Sequence, residues 1–226
     1  YSCSAGPTPP LINEFVANHI SIDTNEYVEI IGSPEIDYSA YTILQIEGDS
    51  SGAGIIDSIL EVGTTDASGF WMTGFLNSIL ENGTLTLLLV KDFSGSVGVD
   101  LDSDNNGIFD STPWTEIVDD VAVSDGGVDD FTYSTTVLAP GFDGIPLTPG
   151  GASRIPDGYD TAVIIMKTTR GGPGFIFTMS INPGFLPFSR TQQCMPILPS
   201  CRLTRICGVS SVHRWSLSRI LLMLSI

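Results

Sequence analysis

The sequence predicts an all-β protein, an antiparallel β-sandwich, and three observations carry that expectation. Apolar or alternating runs of about five to eight residues recur between Leu11 and Val123, each closed by Gly, Asp or Asn turn residues. No stretch in that span keeps the apolar period of an amphipathic helix. Leu85 to Val90 is almost wholly apolar and follows an Asn82-Gly83 pair, as expected of a hairpin turn feeding a strand in the middle of a sheet.

Taken in order, Leu11 to Val16 is the first strand candidate, and a polar turn from Asn18 to Asn25 leads into the second, Glu26 to Ile31, which Gly32-Ser33-Pro34 stops. Tyr41 to Ile46 and Ile55 to Val62 flank a Gly-rich turn at Gly48 to Gly54, the pattern of a hairpin. Gly69 to Thr73 and Asn77 to Leu80 are shorter candidates. Leu85 to Val90 follows the Glu81-Asn82-Gly83-Thr84 turn, and Ile117 to Val123 comes after a long acidic loop and before a turn centred on Gly127.

That loop, Asp100 to Asp110, has the spacing of a calcium ligand set. Counted from Asp102, side-chain oxygens fall at positions one, three, five and nine (Asp102, Asp104, Asn106, Asp110), Gly107 is at six, and Ile108 offers its carbonyl at seven. Calcium takes about six to eight oxygens, and a Gly at the sixth place lets the chain turn around it. Position twelve is Pro113 rather than the bidentate Glu of an EF-hand, and no helical pattern flanks the loop. The expected form is therefore a shorter calcium turn between strands, completed by a carboxylate from Asp100, Glu116, Asp119 or Asp120. A solvated acidic turn is the alternative, since Asp, Asn and Gly are also ordinary turn formers.

Charge divides the chain. Residues 1–160 hold all 26 acids and two bases, Lys91 and Arg154, a formal charge of −24; residues 161–226 hold seven bases and no acid. The acidic part repels phosphate backbones and anionic membranes, so direct nucleic-acid binding is not expected of it. The sequence thus divides into a leader or linker remnant at 1–10, a domain at 11–160 and a basic tail at 161–226. In the remnant, Cys3-Ser4-Ala5 reads as the end of a cleaved export signal. Leu217 to Ile226 is too short for a transmembrane span. The acidic body between residues 11 and 160 contains no cysteine, which excludes a disulfide framework there.

Other residues invite chemistry. Gly48-Asp49-Ser50-Ser51-Gly52 matches a serine-nucleophile pattern, but it has no base beside it and leads into another strand, which favours a flexible hairpin turn. Glu26 and Glu29 are an odd number apart and face opposite sides of a strand. Glu14 and Glu29, on neighbouring strands, are placed for a second cation or a charged hydrogen bond, against the plainer expectation of solvated strand edges. Trp71 reads as core packing, and Trp114, beside the acidic loop, as the better ligand contact.

Leu11-Ile12-Asn13-Glu14-Phe15 followed by Glu26-Tyr27-Val28-Glu29-Ile30 resembles the opening of the lamin tail domain as it occurs in bacterial secreted proteins. Glu81 to Val90, the acidic loop, Pro113-Trp114, Asp125-Gly126-Gly127 and Gly151 to Gly158 resemble the rest of one branch, over roughly residues 11 to 160. The resemblance implies an immunoglobulin-like sandwich, secreted, with a non-catalytic interaction or structural role; such modules also occur attached to secreted nucleases and phosphatases, where they help to position substrate. Gly32 departs from the family, where Asn is usual. After Asp160 the chain departs altogether, and the expectation there is a shifted reading frame, with a genuine basic tail lying on the acidic body as the alternative. With calcium in the loop, the reading is a calcium-stabilised extracellular module with a protein or polysaccharide partner, in which calcium bridging acidic surfaces offers a route to self-association.

Overall fold

A computed structural model describes residues 7–19, 22–50, 52–142, 146–159, 163–167 and 178–181. Among them are eleven strands and no helix. In chain order these are β1 (Leu11–Val16), β2 (Tyr27–Ile31), β3 (Tyr41–Glu47), β4 (Ile56–Glu61), β5 (Phe70–Met72), β6 (Leu85–Lys91), β7 (Glu116–Val123), β8 (Val137–Leu138), β9 (Gly151–Arg154), β10 (Val163–Lys167) and β11 (Thr178–Ile181). They form two sheets, ordered β11-β10-β9-β1-β2-β5 and β4-β3-β6-β7-β8. Every pairing is antiparallel except β7 with β8. The all-β sandwich expected from the sequence is what the chain forms.

The main core lies between the sheets. Ile12, Phe15, Val28 and Ile30 from the first sheet meet Ile43, Leu85, Leu87, Leu89, Val121 and Val123 from the second. Ile12 and Phe15 are an odd number apart and would face opposite sides of a regular strand. A bulge resolves this: the β1–β2 register steps from Ile12↔Ile30 to Glu14↔Glu29, leaving Asn13 as the extra residue. Asn13 is buried and ties β1 to neighbouring chain. Its Nδ2 donates to Glu29 Oε1 at 3.0 Å and Asp157 Oδ1 at 3.2 Å, and its Oδ1 accepts from Gly158 N at 2.9 Å.

The second sheet is buried on both faces. Leu44, Ile46, Ile56, Leu88 and Val90 point away from the main core into a second apolar cluster, closed by Leu101, Phe93, Phe109, Trp114 and Tyr133. The loop between β6 and β7 thus folds back over the outer face, which explains why β6 is apolar at successive positions. Trp114 belongs to this cover, with its ring edge-on to Phe109. Trp71 packs, partly buried, against the main core, as expected.

Two expectations are corrected. Asn77 to Leu80 is not a strand: it is a bent segment with a single bridge beside it, Glu26↔Leu76. Glu26 and Glu29 are not solvated; both are buried. β8 and β9 escape the pattern, since β8 has two residues and β9 reads Gly-Ala-Ser-Arg, with too little apolar alternation to register. Past Asp160, β10 pairs with β9 and β11 with β10. The basic residues from Arg190 onward, and Cys3, Cys194, Cys201 and Cys207, lie outside the described residues.

Candidate cation site

The acidic loop is rooted in the second sheet rather than hanging from it. Leu101 is fully buried in the outer cluster, its N–H donates to Gly54 O at 2.9 Å, and Asp100 bridges Ile55 just before β4. Leu101 O in turn accepts the Asp110 N–H at 2.6 Å, which closes the loop on itself. Phe109 stacks on Tyr133, with ring centroids 4.4 Å apart and 12° between planes. Gly54 has a φ of +90°, and a Cβ there would stand 2.7 Å from the Cβ of Asp102, so glycine permits the close approach of the two chains.

Within the loop, Asp102 is fully buried. Its Oδ1 accepts from Asn106 N at 3.0 Å, and its Oδ2 from Gly107 N and the Tyr133 hydroxyl, both at 2.8 Å. Burial pushes its carboxyl up, but the bonds from Tyr133, Asn106 and Gly107 outweigh burial and hold it below the ordinary Asp value. Burial and the Asp102 charge push the Tyr133 hydroxyl well above its own ordinary value. Gly107 is at φ +81°, the turn demanded of the sixth position.

Asp102, Asp104 and Asp110 each place one carboxylate oxygen within 4.8 Å of the other two. Three of the five residues expected at the site are therefore together. Asn106 accepts the Ile108 N–H on its Oδ1 at 2.9 Å, and Asp110 Oδ2 accepts from Ser103 N at 2.9 Å and Ser103 Oγ at 2.6 Å. Asp110 Oδ1 and the second lone pairs of Asp102 Oδ1 and Asn106 Oδ1 are not used by these bonds, so the donor set is not exhausted. Three carboxylates this close are hard oxygen donors of the kind calcium takes. Of the four residues considered for completing the site, Asp119 is committed elsewhere: its carboxylate receives Arg154 Nη2 at 2.9 and 3.0 Å.

Two further acidic groups were not legible in the sequence. Glu47, Asp49 and Glu81 converge within 4.8 Å, as do Asp49, Asp125 and Asp130. Their origin is the ladder: Glu47 pairs with Leu85, so the residues after β3 and before β6 lie side by side, and Leu85 pairs with Val123, which brings in the segment after β7. Burial, and then Glu47, push Glu81 up to about 8 and Asp57 up to about 6. Buried Gln45 connects the pair, donating to Asp57 Oδ2 at 3.4 Å and accepting from Glu81 N at 3.2 Å.

These shifts set a pH dependence. A carboxyl whose folded value lies above its unfolded one binds protons preferentially in the folded state, so stability falls as pH rises between the two values. For Asp57 the window runs from 3.8 to about 6, and for Glu81 from 4.5 to about 8. The thermal midpoint is expected to be a few degrees higher near pH 5 than above pH 8. Glu81→Gln should remove a large part of that difference; a midpoint that rises with pH over this range would contradict the assignment.

Fold and site together define a class: an all-β sandwich with acidic, oxygen-rich loops gathered at the end of its second sheet where β3 stops and β4 and β6 begin. Compared with protein-family models, curated proteins and solved structures, the chain finds no match. Among the described residues, no helix is long and apolar enough to cross a membrane.

Proposed function

We propose that this chain is a secreted, non-catalytic interaction or structural module, an immunoglobulin-like sandwich of lamin-tail type that calcium stabilises. The observation that carries the reading is the convergence of Asp102, Asp104 and Asp110 on a loop whose base is built into the core. Like charges held this close repel, and a bound cation turns that repulsion into attraction while cross-linking the loop. The donor set of Asp102, Asp104, Asn106, Asp110 and the Ile108 carbonyl suits a weak extracellular site, filled where calcium is millimolar. The Leu-Ile-Asn-Glu opening fits the same reading, since buried Asn13 donates to Glu29 and accepts from Gly158 N, which an apolar residue there could not do. A surface this acidic suits a protein or polysaccharide partner reached through calcium.

Thermal unfolding of the full chain with and without millimolar calcium tests the proposal. A ligand at ten times its dissociation constant adds about 1.4 kcal/mol to the folded state, a rise of a few degrees in the midpoint. Asp104→Ala should abolish the rise. Absence of any calcium-dependent shift would reduce the loop to a solvated turn. Calcium-dependent binding to DNA would instead favour the accessory domain of a secreted nuclease or phosphatase.

A further inference from the structure

Glu26 is the feature that neither the calcium loop nor the sandwich core accounts for. It ends the polar turn before β2, its parity places it on the same side of the strand as Val28 and Ile30, and it is 0% exposed. Its two oxygens are used unequally. Oε2 accepts from Ile79 N at 2.7 Å and Leu80 N at 3.0 Å, whereas Oε1, equally buried, has no hydrogen-bond partner.

Among the described residues, no countercharge stands at bonding distance from Oε1. From the preceding turn, Asp23 and His19 face Glu26. Asp23 is an acid already bound to His19 N at 3.0 Å and Asn82 Nδ2 at 2.7 Å. His19 Nε2 accepts from Thr24 N and Asn25 N, so that nitrogen is engaged with the turn rather than with Oε1. The segment 76–80 contributes only backbone N–H groups, since Leu76, Asn77, Ser78, Ile79 and Leu80 include no ionisable side chain.

A carboxylate in this position would bury an unpaired negative oxygen, at a cost far above that of a neutral polar atom. We propose that Glu26 is a proton-linked clasp: as the neutral acid, protonated on Oε1, it holds segment 76–80 against β2, and its ionisation loosens that segment. The two oxygens then have distinct tasks, Oε2 as the carbonyl that receives both amides and Oε1 as the hydroxyl. Burial raises its carboxyl above the ordinary 4.5, with Asp23 adding to the rise and His19 and the two amides opposing it. The clasp closes at mildly acidic pH and relaxes as pH rises through the raised value. What it secures is the bridge Glu26↔Leu76 and the cover that buried Leu80 gives the core, next to the exposed side chains Phe75 and Ile79.

Amide hydrogen exchange of Ile79 and Leu80, measured on the full chain at about pH 5 and pH 8 and corrected for intrinsic rates, tests the clasp. In the wild-type chain, protection of these two amides should fall several-fold on going to pH 8, approaching tenfold for each unit by which the carboxyl is raised. In Glu26→Gln it should be the same at both values, while amides of the β3–β6 ladder behave alike in the two proteins. A wild-type change no larger than that of Glu26→Gln would overturn the proposal. So would a variant that loses Ile79 and Leu80 protection at both pH values, because the ionised form would then be the one that holds them. Should the variant fail to fold, the carboxyl carbon shift of Glu26 in the wild-type protein decides: a titration midpoint at or below the ordinary Glu value overturns the clasp, and one above it sustains it.

Discussion

Arg154→Met is expected to destabilise the domain by about 3–5 kcal/mol, a large share of the stability of a domain this size. Arg154 ends β9 and reaches across the opening between the sheets. Its Nε donates to Ile12 O at 2.8 Å, its Nη1 to Tyr159 O at 3.1 Å, and its Nη2 to both oxygens of Asp119 on β7. Asp119 Oδ2 also accepts from Ile12 N at 2.7 Å, so β1, β7 and β9 meet at one carboxylate. Both side chains are mostly buried, with 13% and 12% of their surface exposed. Burial outweighs Arg154 and the backbone donors and holds the Asp119 carboxyl above its ordinary value. Losing the guanidinium leaves a desolvated charge with only the backbone donors of Ile12 and Asp120, the circumstance in which breaking an ion pair costs most. Arg154→Met combined with Asp119→Leu should recover much of the loss, because neither charge then remains. Urea unfolding of the single and double variants measures both; a single-variant cost under about 1 kcal/mol would place the pair among screened surface contacts.

Arg154 also shows where sequence reasoning stops. It stood out only as one of two bases in an acidic region, and nothing local pointed to Asp119, 35 residues away. Strands were legible where a ladder of apolar side chains is bounded by turn formers: β1 was placed to the residue, and β3, β6 and β7 to within one. The apolar run of β6 could be recognised as central, but not the second core that makes it so, because that core is closed by Leu101, Phe109, Trp114 and Tyr133 from loops without periodicity. Glu26 and Glu29 look like surface acids in a strand pattern, and only tertiary packing brings them amide donors, the backbone of Ile79 and Leu80 for one and Asn13 for the other. At the candidate site the spacing sufficed for Asp102, Asp104 and Asp110, because ligands within one short loop are set by local turn geometry. Glu47, Asp49 and Glu81 are brought together by register, and register cannot be read until the strands are paired.

Asp102→Ala should cost about 2–4 kcal/mol in calcium-free buffer, whereas Asp104→Ala should cost close to nothing there. Both are carboxylates of the same loop and both belong to the proposed ligand set, so the contrast separates folding from binding. Asp102 is buried and receives Asn106 N, Gly107 N and the Tyr133 hydroxyl; its removal leaves those donors to find water and takes away the anchor beneath the Phe109–Tyr133 stack. Asp104 is exposed, and its loss mainly relieves repulsion between neighbouring acids. Because Asp102 is held below its ordinary 3.8, its contribution is complete above that value and disappears as pH falls through the lowered one, the reverse of Glu81 and Asp57. Urea unfolding in the presence of a chelator gives the two costs, and near-ultraviolet circular dichroism should show the aromatic stack disturbed in Asp102→Ala alone. If Asp102→Ala were as stable as Asp104→Ala, the loop would have no structural part in covering the outer face, and any calcium effect there would be local to the loop. If Asp102→Ala unfolds early while Asp104→Ala loses only its response to calcium, the loop is folded by its own hydrogen bonds first and the ion acts on a site already shaped.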